Sequence, residues 1–187
     1  MSSISIREVD STAALVITAP AEMIGRLAYS ARCRQTLGVL TELIATASDR
    51  LIISAPFLQP GAGISAGVLN AALKAALRRG VSVELITTGQ SLAALDIGSL
   101  TRAAAGDLRV SRPTINMLDP KALGSHAKFC VSDGRAAYIG SANLTGPGLV
   151  GQIELGVLVR GPLVRQVEEF WMLCHQLGLL ADVTSSL

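Results

Sequence analysis

Residues 125–159 run SHAKFCVSDGRAAYIGSANLTGPGLVGQIELGVLV, and three β-rich runs can be read from them. His126 to Ser132 and Ala136 to Ile139 read as adjacent strands joined at Asp133-Gly134, a dipeptide that favours a tight hairpin turn. Gln152 to Val159 is the third. Successive side chains on a strand point to opposite faces, so His126 and Lys128 project to one side. Ser141 and Asn143 are also two apart and share a side if the chain is extended there. A nucleophilic imidazole beside an ammonium, a hydroxyl and an amide is a cradle suited to a phosphate.

Upstream of this stretch, apolar positions recur at helical spacing from Met23 to about Ala47, and Ser48-Asp49 ends that helix. Leu51 to Ala55 is a continuous apolar run before Pro56, as expected of a buried strand. After a Gly/Pro-rich loop, Ala66 to Arg79 reads as a helix closed by Gly80, and Val81 to Thr87 as the next strand. Strand, helix and strand within about 35 residues suit a right-handed crossover. A shorter helix over Ser91 to Ala105 precedes short strands at Leu108 to Val110 and Thr114 to Leu118. Downstream, Pro162 to Leu177 reads as a closing helix with Pro near its first position. The alternation predicts a single α/β domain over residues 1–187: a sandwich with a mixed β-sheet flanked by helices on both faces, its motif region at 124–160.

Composition narrows the class. Of 187 residues, 50% are hydrophobic and 16% charged, which suits a globular core and excludes a disordered chain. Aromatics at 3% argue against a stacking platform for single-stranded nucleic acid, and a net charge of +2 tolerates a polyanion without demanding one. Mean hydropathy is +0.48. Even so, Glu42, Lys74 and Glu154 interrupt the apolar stretches before the roughly 18 residues a membrane span needs. The opening MSSISIREVD has no basic segment before an apolar run, so a cytoplasmic protein without a signal peptide is expected. Cys33, Cys130 and Cys174 are widely spaced, which favours neither a disulfide framework nor a zinc knuckle.

Competing motifs are weaker. Gly63-Ile64-Ser65-Ala66-Gly67 matches the GxSxG of serine-hydrolase elbows and imitates a dinucleotide loop, but Pro56 and Pro60 separate it from the preceding strand. A helix N-terminus is the plainer reading. Cys130 continues the parity of His126 and Lys128, yet without Cys or His neighbours it reads as core. His175 stands in a helical run with no Lys two residues on and reads as a structural or surface residue. Arg102, Arg109, Arg112 and Lys121 precede the motif and are candidates for a polyanion path, with Arg109, Arg112 and Lys121 as substrate-binding residues.

Taken together, His126, Lys128, Asp133, Gly140, Ser141 and Asn143 match all six fixed positions of HxK(x)4D(x)6GSxN. The pattern resembles that of the phospholipase D superfamily, and Glu154 stands where many members carry a downstream Glu. One named residue type occurs at roughly one position in twenty, so six in register are not accidental. Gln152 departs from the Asn common before that Glu, and Ser125 from the usual apolar residue before the His. Neither removes a catalytic atom.

The resemblance implies phosphoryl transfer through a phosphohistidine, without metal or other cofactor. His126 would attack phosphorus, and Glu154 would hold the other ring N–H. Lys128 and Asn143 would bind nonbridging oxygens with Ser141 assisting, while Asp133 and Gly140 serve structure. Many relatives carry two motifs and this chain one, so a homodimer with a composite active site would supply the second histidine as acid and base. Single-motif bacterial members look like small endonucleases, which makes nucleic acid the first expected substrate and phospholipid the alternative. The SANLT…GL…IELGVLV stretch has a looser similarity to the phospholipase D-like component of the DISARM anti-phage system. That likeness opens a further alternative, partner proteins in a defence complex, including a catalytically silent nucleic-acid-binding subunit; joint retention of His126, Lys128, Asn143 and Glu154 argues against silence.

Overall fold

A computed structural model describes residues 10–115 and 122–184. Its first strand, β1 (Thr12–Thr18), leads through α1 (Ala21–Ser30) and the two-residue β2 (Arg34–Gln35) into α2 (Thr36–Thr46). Then follow β3 (Arg50–Ser54), α3 (Gly67–Arg78), β4 (Ser82–Ile86), α4 (Ile97–Ala103) and β5 (Leu108–Pro113). The motif half comprises β6 (Phe129–Ser132), β7 (Ala136–Gly140), α5 (Gly146–Val150), β8 (Glu154–Arg160), α6 (Pro162–Gln176) and β9 (Leu180–Asp182).

Among the described residues, nine strands join one mixed sheet in the order β2-β1-β8-β7-β6-β3-β4-β5-β9. β3, β4 and β5 run parallel, and β3 meets β6 antiparallel with Ser54 opposite Phe129. From β6 through β7 and β8 to β1 every pairing is antiparallel. One sheet face, with Leu51, Ile53, Cys130 and Tyr138, packs on α2, α3 and α4 through Leu40, Ile44, Leu73 and Leu100. The other, with Ile52, Phe129, Val131 and Val159, is covered by Val164, Trp171 and Cys174 of α6. Phe129 and Trp171 stack with ring centroids 4.9 Å apart. Helices on both faces are as expected, but the cover is unequal. Beyond α6 the same face continues across β8 and β1, where Leu15 lies opposite Val157 and Ile17 opposite Leu155. There Leu155 is 59% exposed and the preceding Ile153 86%.

Several expectations are corrected. The helix read over 23–47 is two helices, because the chain reverses at Arg32, whose φ of 49° lies in the left-handed region. The helix read over 91–105 begins as a 3₁₀ turn (Gly89–Ala94) and restarts at Ile97, where the Asp96 carboxylate caps the Ser99 N–H at 2.8 Å. β1, β9 and α5 were not anticipated. β6 begins at Phe129, not His126, and β8 at Glu154, not Gln152. The strand read at 114–118 fails at Thr114 and Ile115, and its remainder lies outside the described residues. Among the described residues no helix is long and apolar enough to cross a membrane.

Candidate active site

His126 and Lys128 lie just before β6, where a buried hydroxyl fixes the chain: Ser54 Oγ donates to the Ala127 carbonyl at 2.8 Å. The Gly140 N–H donates to the Lys128 carbonyl at 3.1 Å and ties this segment to the end of β7. Lys128 is buried, 5% exposed, whereas the His126 ring faces solvent. The Lys128 ammonium lies 3.3 Å from His126 Nδ1 and 3.2 Å from Nε2, and donates to the His126 carbonyl at 2.9 Å. Burial pulls the Lys128 ammonium below its ordinary pKa, and the Glu154 carboxylate opposes that. The Phe57 ring meets His126 edge-on at 5.7 Å between centroids.

Ser141 and Asn143 follow β7, and Gly140 lets them do so. A Cβ there would lie 2.4 Å from the Tyr138 hydroxyl and 2.9 Å from the Gly156 Cα. Asn143 is braced from behind, since a Cβ on Gly148 of α5 would reach its carbonyl at 2.3 Å. Asn143 Oδ1 is buried and meets no partner among the described residues. Gly63, first residue of the GxSxG segment, packs so close to Leu144 that a Cβ would come within 1.9 Å of that carbonyl. Ile64 N–H also donates to it at 3.1 Å, so the segment buttresses the motif.

Glu154 opens β8 beside this group, accepting from Ser141 Oγ, which in turn accepts from the Leu155 N–H at 3.1 Å. Its carboxylate is therefore held by Ser141, and among the described residues of one chain no hydrogen bond joins it to His126. The structure thus gathers His126, Lys128, Ser141, Asn143 and Glu154 at one end of the sheet.

Asp133 is at the other end, seven residues and roughly 20 Å of extended chain from His126. Its carboxylate accepts from the N–H groups of Ser48 (3.0 Å), Asp49 (2.9 Å) and Arg50 (2.9 Å) and from Ser48 Oγ (3.0 Å). Burial pushes its pKa up, but these donors outweigh burial and hold it below the ordinary value.

Arg109 is on β5, three strands from β6, and pairs with Asp182 at 3.5 Å across a polar cleft of about 520 Å³. Arg112 is half-buried on the same strand, and Lys121 lies outside the described residues. Neither arginine is brought against His126. His175 is tied to Glu84 Oε1 at 2.5 Å, and Ser111 Oγ donates to the same oxygen at 2.9 Å. Cys130 is buried in the core, which pushes its thiol up to about 12. Sequence reasoning missed Ser54, Phe57 and Tyr138, since a Ser ending an apolar run or a Phe in a Pro-rich loop carries no signal of its own.

Residues 40–173 match the family model described as "Cardiolipin synthase, PLD-like domain". The chain belongs to this phospholipase D-like family. No curated protein matches the sequence. Among solved structures, it is similar to Nuc, a phospholipase D family member from Salmonella typhimurium (16% identity, TM-score 0.63), over 92% of this chain and 98% of that one. NucT from Helicobacter pylori is similar over 92% and 99% (15% identity, TM-score 0.64). A phosphatidylserine synthase from Haemophilus influenzae is similar over 93% of this chain but 40% of its own (13% identity, TM-score 0.61).

Proposed function

We propose that the chain is a metal-independent phosphodiesterase that cleaves nucleic acid through a phosphohistidine at His126, working as a homodimer. The observation that carries this is the exposed His126 ring against the Lys128 ammonium, with Ser141, Asn143 and Glu154 at neighbouring strand ends. One ring nitrogen attacks phosphorus, the P–N bond forms as the P–O bond to the leaving group breaks, and an acid protonates the departing oxygen. Water then attacks the phosphohistidine, giving up a proton to the same group and freeing His126. Lys128 and the Asn143 amide neutralise charge on the nonbridging oxygens.

The resemblance to the phospholipase D family assigns that acid to a second imidazole. His175 is held by Glu84, so His126 of a second copy is the natural donor. Two sites facing across a twofold axis would also let each Glu154 orient the opposite His126. The exposed apolar run Leu15, Ile153 and Leu155 borders Glu154 and suits burial between copies. Nucleic acid is the first choice because the single motif resembles that of small bacterial endonucleases, and the fold is shared with Nuc and NucT over nearly their whole lengths.

A second reading, lipid hydrolysis, draws on α1, an amphipathic helix with no buried residue and with Met23 and Leu27 exposed. The family model's description and the phosphatidylserine synthase fold point the same way.

A panel with EDTA present, comprising single- and double-stranded DNA, RNA, phosphatidylcholine vesicles and bis(p-nitrophenyl) phosphate, separates the readings. Nucleic-acid cleavage lost in His126→Ala is expected, and activity restored after chelation only by a divalent ion refutes the mechanism. Cleavage of vesicles alone establishes the lipid reading. Co-refolding wild-type with His126→Ala chains should leave about a quarter of activity at half substitution, the square of the wild-type fraction. A linear fall refutes the shared site.

A further inference from the structure

We infer that Phe57 is a positioning residue for His126, an inference that rests on the phosphodiesterase reading. Its ring lies edge-on to the imidazole at 5.7 Å and 75°, and the Lys128 ammonium stands 5.9 Å from its centroid. At 37% exposed, the ring is an apolar group left at the mouth of a polar site.

The backbone around it is fixed to a degree a connecting loop does not need. Thr87 Oγ1 donates to the Ala55 carbonyl at 2.7 Å. The Pro56 carbonyl accepts from Thr88 Oγ1 at 2.8 Å and from Ser91 Oγ at 2.9 Å, and the Leu58 N–H donates back to Ser91 Oγ at 3.2 Å. Thr87, Thr88 and Ser91 are all buried. The residues on either side of Phe57 are thus pinned by buried hydroxyls, while Phe57 itself turns out toward His126.

The nucleophile needs this support. An ammonium only donates, so Lys128 can bind a ring nitrogen that carries a lone pair but cannot restrain a ring N–H. Glu154 of the same chain is engaged by Ser141. Phe57 stands against the imidazole, and its edge-to-face contact fixes the ring plane while leaving a nitrogen open to phosphorus. The same ring offers its electron-rich side to Lys128, which favours the charged ammonium in a poorly hydrated place.

The test compares Phe57→Leu and Phe57→Tyr in the full-length chain. Turnover of bis(p-nitrophenyl) phosphate and of DNA is measured beside the His126 imidazole proton resonances, assigned by their loss in His126→Ala. Phe57→Leu should lower kcat roughly threefold to tenfold at nearly constant KM on both substrates, the factor an aromatic pair contributes to holding one ring orientation. It should also abolish the ring-current displacement of the imidazole protons, and Phe57→Tyr should restore both. Unchanged kcat in a folded Phe57→Leu, or a rise in KM confined to DNA, overturns the proposal, the latter making Phe57 a substrate contact. If the wild type turns over nothing, the phosphodiesterase reading itself fails, and the positioning role with it, although the imidazole resonances would still report the contact.

Discussion

Replacing Asp133 by Asn should unfold this protein more easily and leave its chemistry nearly intact. The carboxylate collects four donors from the turn between α2 and β3: three backbone N–H groups and the Ser48 hydroxyl. An amide of the same shape has one acceptor oxygen, good for two of these, and turns its own N–H₂ toward the others. Asp133 has a φ of 53°, which Asn tolerates, so the substitution changes acceptors and charge without adding backbone strain. Hydrogen bonds to a charged group contribute about 1.5–3 kcal/mol when buried and nearer 1 kcal/mol when partly solvated, as here. Losing two, with two donors left facing an amide, should cost about 2–3 kcal/mol, or about 5–10 °C in Tm for a chain of this size.

The sign of the pH dependence follows from the lowered pKa. Asp133 contributes stability above the unfolded-state value near 3.9, and loses it as pH falls through its lower folded value. The gap between wild type and variant should therefore be full at pH 7 and shrink below about pH 4. Urea titrations followed by circular dichroism at both pH values measure it, with bis(p-nitrophenyl) phosphate turnover in parallel. An Asp133→Asn chain as stable as wild type would refute the capping argument. A stable, folded variant without turnover would mean that Asp133 takes part in the reaction.

Gly140→Ala should destabilise by about 1–3 kcal/mol, because its Cβ would meet the fully buried Tyr138 hydroxyl and the Gly156 backbone. Adding Tyr138→Phe should recover part of that loss in denaturation, and no recovery would place the clash at the ring carbon Cζ, 2.7 Å away, and the Gly156 backbone. Glu154→Gln should reduce turnover on the order of 10²-fold with the fold intact, by analogy with other carboxylates that orient a histidine. Wild-type turnover would remove Glu154 from the mechanism. Because burial lowers the Lys128 pKa, the alkaline fall of the pH–rate profile should come below the ordinary lysine value and move upward in Lys128→Arg. A profile flat to about pH 10 would mean that the Lys128 charge is not required.

Of the residues gathered at the site, His126, Lys128, Ser141 and Asn143 were named from the motif and Glu154 from the family resemblance, because chemistry constrains residue type and spacing together. Where each contact falls was less legible. Parity correctly put His126 beside Lys128 although neither is in a strand, since Ser54 holds that segment extended. The Glu154–Ser141 contact depends on how β7 and β8 are registered across an intervening helix, which spacing does not encode. β1 was missed although Leu15, Val16, Ile17 and Thr18 form an apolar and β-branched run, because it is adjacent to the helix in sequence while its main partner, β8, lies about 140 residues away. Arg109 shows the converse limit: a basic residue near the motif in sequence is three strands away in the sheet and neutralised by Asp182.

The sheet ends, among the described residues, in strands of two residues at β2 and three at β9, and each end carries charge. Arg34 of β2 is tied to Glu42, and Asp182 of β9 to Arg109. Terminal strands so short and so charged offer little template for another strand, a common guard against runaway polymerisation, although β2 pairs with only Val16 and Ile17 of β1. In the proposed homodimer, a second copy would thereby be steered from the backbone ladder, which accepts almost any extended peptide, toward loops and the open apolar face. Recognition there would depend on side-chain shape, so fidelity of the proposed pairing and avoidance of open-ended strand addition would have the same origin.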